Sequence, residues 1–424
     1  MILTSLSKRF VSATVLGLIL AASACQNDTL NRPFTNVPVD RLFERYVAMG
    51  NSITAGFQSA GINDSTQSRS YAVLLAQSMH SPFFSPLLKY PGCPPPYTNV
   101  FTGARLTPTG FPTSTGTSCY LRAVPATPPP YISNTAVPGA RVFDLFDQTA
   151  RGLTSPDTNA LMTFFLGGLT QVQMARRAQP TFISLWIGNN DVLGAATNFS
   201  NAGDSTRITP VAQFQTDYAA LVDSIASINP RGAILIGVAN VTAIPFFSAG
   251  ATYWAIKNGL VPGSSFPVLF TVSNNCAPVS SGIPGARGDQ TLVPFPYGAA
   301  LLGQAQAGAP ANLDCGDNIP QVVVPAELAK LTTTVAAYNT FIAAQAAAKG
   351  WAYYDPNPAL DALRTDPAAV RPFPLIGAPC ISNPFGTGFS CDAVHPSNAT
   401  HRLIASQLRD AINSAYTTAI PPIP

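Results

Sequence analysis

The sequence predicts an α/β protein: a five-stranded parallel sheet with helices on both faces, forming one domain interrupted by three long insertions. Short apolar runs that end in turn residues alternate five times with stretches whose apolar residues recur at helical spacing. That alternation specifies parallel strands joined by right-handed crossovers. The 424-residue chain is 46% apolar, enough for a sizeable core, and its 40 prolines, about twice average usage, require long irregular connections around the regular part. No internal repeat is visible.

The first strand, Tyr46 to Met49, stops at Gly50-Asn51-Ser52, which sets Ser52 at its carboxyl end, where open α/β sheets hold ligands. Tyr71 to Met79 reads as a helix through Val73, Leu74 and Leu75. The first insertion, near 81–130, contains Pro94-Pro95-Pro96 and Pro128-Pro129-Pro130, which forbid regular structure. Tyr131 to Val137 resumes as a strand ended by Pro138-Gly139, and Arg141 to Ala150 reads as the next helix. Leu161 to Ala178 is helical with a break at Gly167-Gly168. Thr181 to Ile187 is the clearest buried strand and ends at Gly188-Asn189-Asn190-Asp191. Phe214, Tyr218, Leu221 and Ile225 mark a helix over Val211 to Ile228, stopped by Asn229-Pro230, and Ala233 to Val238 is another strand. No regular structure is legible in the second insertion, near 243–325; a connection of that length argues for a function or a small subdomain. Leu328 to Lys349 is an alanine-rich helix ended by Gly350, and Trp351 to Tyr354 a short strand. After the third insertion, near 371–391, Ser397 caps a last helix with Leu403, Ile404, Leu408 and Ile412 along one face. The domain spans 41–416, and 417–424 form a tail.

Charged residues are only 10% of the chain, against about 25% in ordinary soluble proteins, and the net charge is +3, so nothing forms a basic surface for nucleic acid. Lys8 and Arg9 precede an apolar run from Val11 to Leu20 and then Ala21-Ala22-Ser23-Ala24-Cys25, the layout of a secretory signal over 1–24 and too short to span a bilayer. Ala22-Ser23-Ala24 resembles a bacterial lipobox. That implies lipidation of Cys25 and, with Gln26 next to it, attachment to the outer membrane of a Gram-negative cell or a periplasmic or surface location; plain secretion is the alternative. Residues 25–40 then form a tether. With Cys25 set aside, Cys93, Cys119, Cys276, Cys315, Cys380 and Cys391 are an even set suited to an oxidising compartment. Sequential pairs, 93 with 119, 276 with 315 and 380 with 391, would each pin one insertion. No Cys-x-x-Cys or histidine cluster points to a metal, and no cofactor is expected.

A serine is a poor nucleophile without a base, an orienting group and oxyanion donors. His395 is one of three histidines, and Asp392 precedes it by three residues, a spacing that lets a carboxylate hold one imidazole nitrogen while the other faces Ser52. The backbone N–H of Ser52, that of Gly139 and the side-chain amide of Asn190 are the candidate oxyanion donors. Asp191 is the rival orienting acid but lacks the short spacing to His395. His80 reads as a helix end and His401 as a surface or packing residue. Phe83-Phe84 and Phe246-Phe247 read as anchors of the insertions rather than as pocket walls. Each signal is commonplace alone, since Gly-Asn-Ser is ordinary turn chemistry.

Together, Gly50-Asn51-Ser52-Ile53-Thr54-Ala55-Gly56, Gly139, Gly188-Asn189-Asn190-Asp191 and Asp392-Ala393-Val394-His395-Pro396 resemble, in order, the four blocks of the SGNH or GDSL-type esterases and lipases. The resemblance spans about Arg45 to Ala405 and implies a flavodoxin-like five-stranded sheet and ester hydrolysis. It implies Ser52 as nucleophile, His395 as base, Asp392 as its partner, and Gly139 and Asn190 as oxyanion donors. Asn51 stands where the family usually has aspartate, and the insertions exceed what a minimal member needs. The α/β-hydrolase elbow, Gly-x-Ser-x-Gly, is not met, because position 54 is threonine. The expected partners are a lipid, short-chain or carbohydrate ester as substrate and the membrane through the lipid anchor, and the protein is expected to be a monomer; a carbohydrate-acetyl esterase and a non-catalytic binding lipoprotein are the alternatives.

Overall fold

Four parallel strands, β1 (Tyr46–Gly50), β2 (Phe182–Trp186), β3 (Gly232–Ile236) and β4 (Ala352–Tyr354), are hydrogen-bonded in that order in the computed structural model, which describes residues 38–107, 129–146 and 161–424. Tyr46 pairs with Phe182, Phe182 with Gly232 and Ala352 with Ile234. The strands are nearly uninterrupted apolar runs because both faces are covered. Tyr46, Ala48, Phe182 and Ile234 face one layer, and Val47, Met49, Ile183 and Leu235 the other.

The one-turn helix α1 (Ser52–Ala55) follows β1 directly. Helices α2 (Tyr71–Met79) and α7 (Asn398–Tyr416) cover the first face. The second face carries α3 (Gln171–Ala178), α4 (Asn190–Ala196), α5 (Val211–Ala226) and α6 (Pro325–Lys349). Ser397 caps α7 by accepting from the Thr400 N–H at 3.3 Å, and Gly350 closes α6 in the left-handed region.

Two expected elements are reduced. The stretch Tyr131 to Val137 runs beside β1, but only Asn134 bridges it, to Ala48. Ala48 N–H donates to Ser133 (2.8 Å), and Thr135 N–H returns to Ala48 (2.9 Å). Val137 N–H donates on to Gly50 (3.2 Å), but no regular ladder forms because the polar side chains compete for backbone groups: Asn134 donates to the Thr54 carbonyl (2.9 Å) and accepts from Ala136 N–H (3.2 Å). The regular sheet therefore has four strands, with this line along its edge outside β1. The expected helix from Arg141 is a 3-10 turn, Val142–Leu145, in which Asp144 accepts from Arg141 N–H at 2.8 Å; residues 147–150 lie outside the described residues.

The second insertion is a subdomain. Phe247–Ala249 pairs antiparallel with Leu292–Pro294, Phe270–Val272 pairs parallel with Ala311–Leu313, and helices Gly250–Lys257 and Phe295–Gln306 enclose a core around Tyr253, Phe270 and Leu302. Three-residue strands are too short to show a period, which is why the sequence showed none. The expected disulfides Cys276–Cys315 and Cys380–Cys391 are present. Cys93 is also disulfide-bonded; its expected pairing with Cys119 falls outside the described residues, as do the signal segment, Cys25 and most of the tether. The three insertions meet in one aromatic cluster: Phe101 of the first packs on Phe295 of the second (5.8 Å) and Phe385 of the third (5.9 Å), and Phe246 on Phe295 (5.2 Å). The tail is fastened too, with Ile420 buried and its backbone N–H and C=O both bonded to the Asn413 side chain at 2.8 and 3.1 Å.

His80 closes α2 in the left-handed region. His401 lies fully buried between α7 and α2, its Nδ1 accepting from Tyr71 N–H at 3.2 Å. Burial, and secondarily the nearby His395, push its pKa from 6.5 down to about 3. Below about pH 6.5 the unfolded chain therefore takes up a proton that the folded chain refuses until about pH 3, so this residue removes stability as pH falls through that window. Thermal melts of wild type and His401→Leu should show the difference in Tm moving in the variant's favour between pH 7 and pH 4; a constant difference would contradict a buried, neutral His401.

Candidate active site

The chain leaves β1 through Gly50, whose φ of 157° and surroundings exclude a side chain: a Cβ there would lie 2.5 Å from both Thr54 Oγ1 and the Trp186 carbonyl oxygen. The buried Gln171 side chain binds Gly50 at both backbone groups, accepting from its N–H (2.8 Å) and donating to its C=O (2.7 Å). Asn51 caps α1 by accepting from Ile53 N–H at 3.0 Å and reaches Asn189 Oδ1 at 3.4 Å, so asparagine keeps the capping geometry at the position where the resemblance departs. Ser52 becomes the first residue of α1, its side chain at the carboxyl end of the sheet.

His395 Nε2 lies 2.9 Å from Ser52 Oγ, and His395 Nδ1 lies 2.8 Å from Asp392 Oδ2. Asp392 is buried and accepts five hydrogen bonds. Oδ1 receives the Ser390 hydroxyl (3.0 Å) and the N–H groups of Val394 and His395 (2.9 Å each); Oδ2 receives the imidazole and the Ala60 N–H (2.6 Å). Burial alone would raise its pKa, but the His395 charge and these donors outweigh it and hold the carboxyl at about 2. The carboxylate thus fixes the imidazole with Nδ1 as donor, leaving Nε2 to accept from Ser52. The Phe57 ring, 4.9 Å from the imidazole centroid, packs on its side.

Ala60 donates from an unusual turn. Gln58 and Gly61 exchange backbone hydrogen bonds at 2.8 and 3.0 Å, and both residues between them, Ser59 and Ala60, have positive φ (53° and 50°). Ser59 N–H donates to Ser390 Oγ (2.8 Å), and Ser59 Oγ accepts from Cys391 N–H (3.1 Å), so the turn is stitched to the segment that ends in Asp392.

Asn190, the first residue of α4, lines the same small cavity, about 40 Å3, as Ser52 and His395. Its amide donates to the Ala140 carbonyl at 2.8 Å, which ties it to the turn holding Gly139. Gly139 itself is exposed with φ of 82° and does not line that cavity. Asp191 turns away: its carboxylate accepts from Val142 N–H (3.0 Å) and Thr209 Oγ1 (2.8 Å), and burial raises its pKa to about 6. Gln171, Ser390 and the Ser59-Ala60 turn were not legible as site residues. Gln171 is an ordinary polar residue in a helix by pattern, and Ser59-Ala60 carries none of the Asn-Gly chemistry that announces a left-handed turn.

No family model and no curated protein matches the chain. Among solved structures it is similar to the acetylxylan esterase Axe2 from Geobacillus stearothermophilus, at 12% identity, covering 87% of this chain and 94% of that one with a TM-score of 0.36. It is also similar to a protein described as GDSL-like lipase from Parabacteroides merdae, at 11% identity, covering 88% and 98% with a TM-score of 0.35.

Removing the amide that clamps Gly50 leaves a buried backbone N–H without its partner. Gln171→Leu should therefore lower the unfolding free energy by about 1–3 kcal/mol, whereas Arg177→Ala on the exposed side of α3 should change it by less than about 0.5 kcal/mol. Urea titrations of the two variants distinguish these outcomes.

Proposed function

We propose that this chain is a serine hydrolase of carboxylic esters, of the SGNH type. The observation that carries the reading is the unbroken contact from Ser52 Oγ to His395 Nε2 (2.9 Å) and from His395 Nδ1 to the ionised Asp392 (2.8 Å). In the proposed reaction, His395 takes the Ser52 proton as Oγ attacks the ester carbonyl carbon. The resulting oxyanion is met by the Ser52 N–H and by the Asn190 amide, which lines the same cavity; the Gly139 N–H, proposed from the sequence as a further donor, lies outside that lining. His395 then passes its proton to the departing alkoxide, leaving an acyl-enzyme and a free alcohol. Water, deprotonated by the same imidazole, cleaves the acyl-enzyme and releases the carboxylic acid, and the proton returns to Ser52.

A non-catalytic binding lipoprotein has no use for five donors assembled around the carboxylate beside an imidazole and a serine. A carbohydrate-acetyl esterase would use the same machinery and differ only in substrate. The reading also includes export and attachment through Cys25, supported by the basic residues, apolar run and Ala22-Ser23-Ala24 ahead of it and by the cystines of the described residues.

A fluorophosphonate probe should label the wild type and fail to label both Ser52→Ala and His395→Ala; labelling that persists in Ser52→Ala would sink the assignment. Asp392→Asn should keep the fold but lower turnover of an activated ester by roughly 10⁴, because the amide favours the wrong imidazole tautomer. A loss smaller than about tenfold would show that Asp392 does not orient His395.

A further inference from the structure

The cavity at Ser52 continues into a second one. Ile53, Ala239, Ile244 and Val394 line both the Ser52–His395 cavity and a larger neighbouring cavity of about 70 Å3 that opens to solvent. The second lies beyond the carboxyl ends of β2 and β4, between α7 and the short helix Asn357–Arg364, with Leu360, Leu363, Phe389 and Leu403 in its walls. Its position relative to the sheet is where α/β folds hold ligands.

Two features of the wall describe what fits it. Its polar groups are largely spent on the protein itself: the Tyr354 hydroxyl donates to Gln407, and the Thr400 hydroxyl to the Gly388 carbonyl at 2.6 Å. A sugar ring there would exchange water for a surface with few groups to answer its hydroxyls, whereas a hydrocarbon loses nothing on entry. Helix Asn357–Arg364 is amphipathic yet buries no residue fully; Leu360 and Leu363, one turn apart, are half-buried, and Leu403 across the cavity is 38% exposed. The apolar face is thus only partly covered by protein, and it is continuous with the nucleophile's cavity.

We infer that the second cavity holds the acyl chain of the substrate, which makes the hydrolysed ester that of a medium-chain fatty acid rather than an acetyl group. The inference rests on Ser52 being the nucleophile. The carbonyl carbon sits at Ser52 Oγ, and the chain runs past Ile53 and Val394 to Leu360 and Leu363. Leu360 and Leu363 set chain length without touching the reacting atoms.

The test uses the full chain with para-nitrophenyl acetate and para-nitrophenyl octanoate. Each methylene buried contributes roughly fourfold in kcat/KM, so the octanoate should be preferred at least tenfold even when only part of the chain is enclosed. Leu360→Trp, which narrows the cavity, and Leu363→Ser, which makes it polar, should each lower the octanoate-to-acetate ratio of kcat/KM by tenfold or more. A wild type that turns over acetate as well as octanoate overturns the inference while leaving the hydrolase reading intact, and so does a ratio unchanged in both variants. Absence of both hydrolysis and fluorophosphonate labelling overturns the hydrolase reading and this inference with it.

Discussion

A carboxylate buried beside the Ser52–His395 pair has to be kept ionised, and much of the architecture around the site follows from that constraint. Removing a carboxylate from water costs on the order of several kcal/mol unless it is met by donors. Asp392 receives five, from Ser390, Val394, His395 twice and Ala60. The Ala60 donor is obtained by holding Ser59 and Ala60 in the left-handed region, a conformation that costs about 1–2 kcal/mol for each residue with a Cβ. A charge-assisted bond of 2.6 Å offsets that cost. The same turn binds Ser390 and Cys391, and Cys391 is joined to Cys380, so the third insertion is anchored within one residue of the carboxylate.

A second constraint comes from the sheet. Parallel strands buried on both faces must find partners for their backbone groups where they leave the ladder, away from water. Two amide side chains answer this in the same manner. Gln171 binds both backbone groups of Gly50, the last residue of β1, and Asn339 on α6 accepts from Val238 N–H (2.6 Å) and donates to its C=O (2.9 Å) after β3. A primary amide offers one donor and one acceptor side by side, which copies a neighbouring strand. The first clamp sits two residues before Ser52. It fixes the turn that presents the hydroxyl, and with it the 2.9 Å separation from His395.

These clamps mark the boundary of what the sequence made legible. The four regular strands and most of the helices that cover them were readable, because burial on both faces leaves apolar runs and helical periods; α4, seven residues long, was not. Ser52, Asp392 and His395 were readable from spacing and order. Gln171 and Asn339 were not, since a polar residue in a helix signals solvent by pattern and these two face the interior. The edge line at Tyr131 to Val137 was overread, because its apolar ends hid a Ser133-Asn134-Thr135 centre whose side chains take over backbone hydrogen bonds. In the second insertion the strands are too short for any period to emerge, and its fold is held by the Cys276–Cys315 bond and a core of its own.

The insertions are not independent decorations of the sheet. Residues 101, 246, 295 and 385, drawn from all three, meet ring on ring at centroid separations of 4.9 to 5.9 Å, and such contacts add about 0.5–1.5 kcal/mol each beyond simple burial. A shift in one insertion therefore strains the other two. Ile244, from the start of the second insertion, and Phe389, from the end of the third, both line the apolar cavity that adjoins Ser52. The contacts among Ser52, His395 and Asp392 come from the end of β1 and from the turn before α7, which the fold fixes in any case. The shape of the apolar wall depends instead on segments whose mutual packing is set by the aromatic cluster. The Ser52–His395–Asp392 contacts and the apolar wall are thus held by different parts of the chain, and Phe101 and Phe295, which line neither cavity, reach that wall only through the cluster.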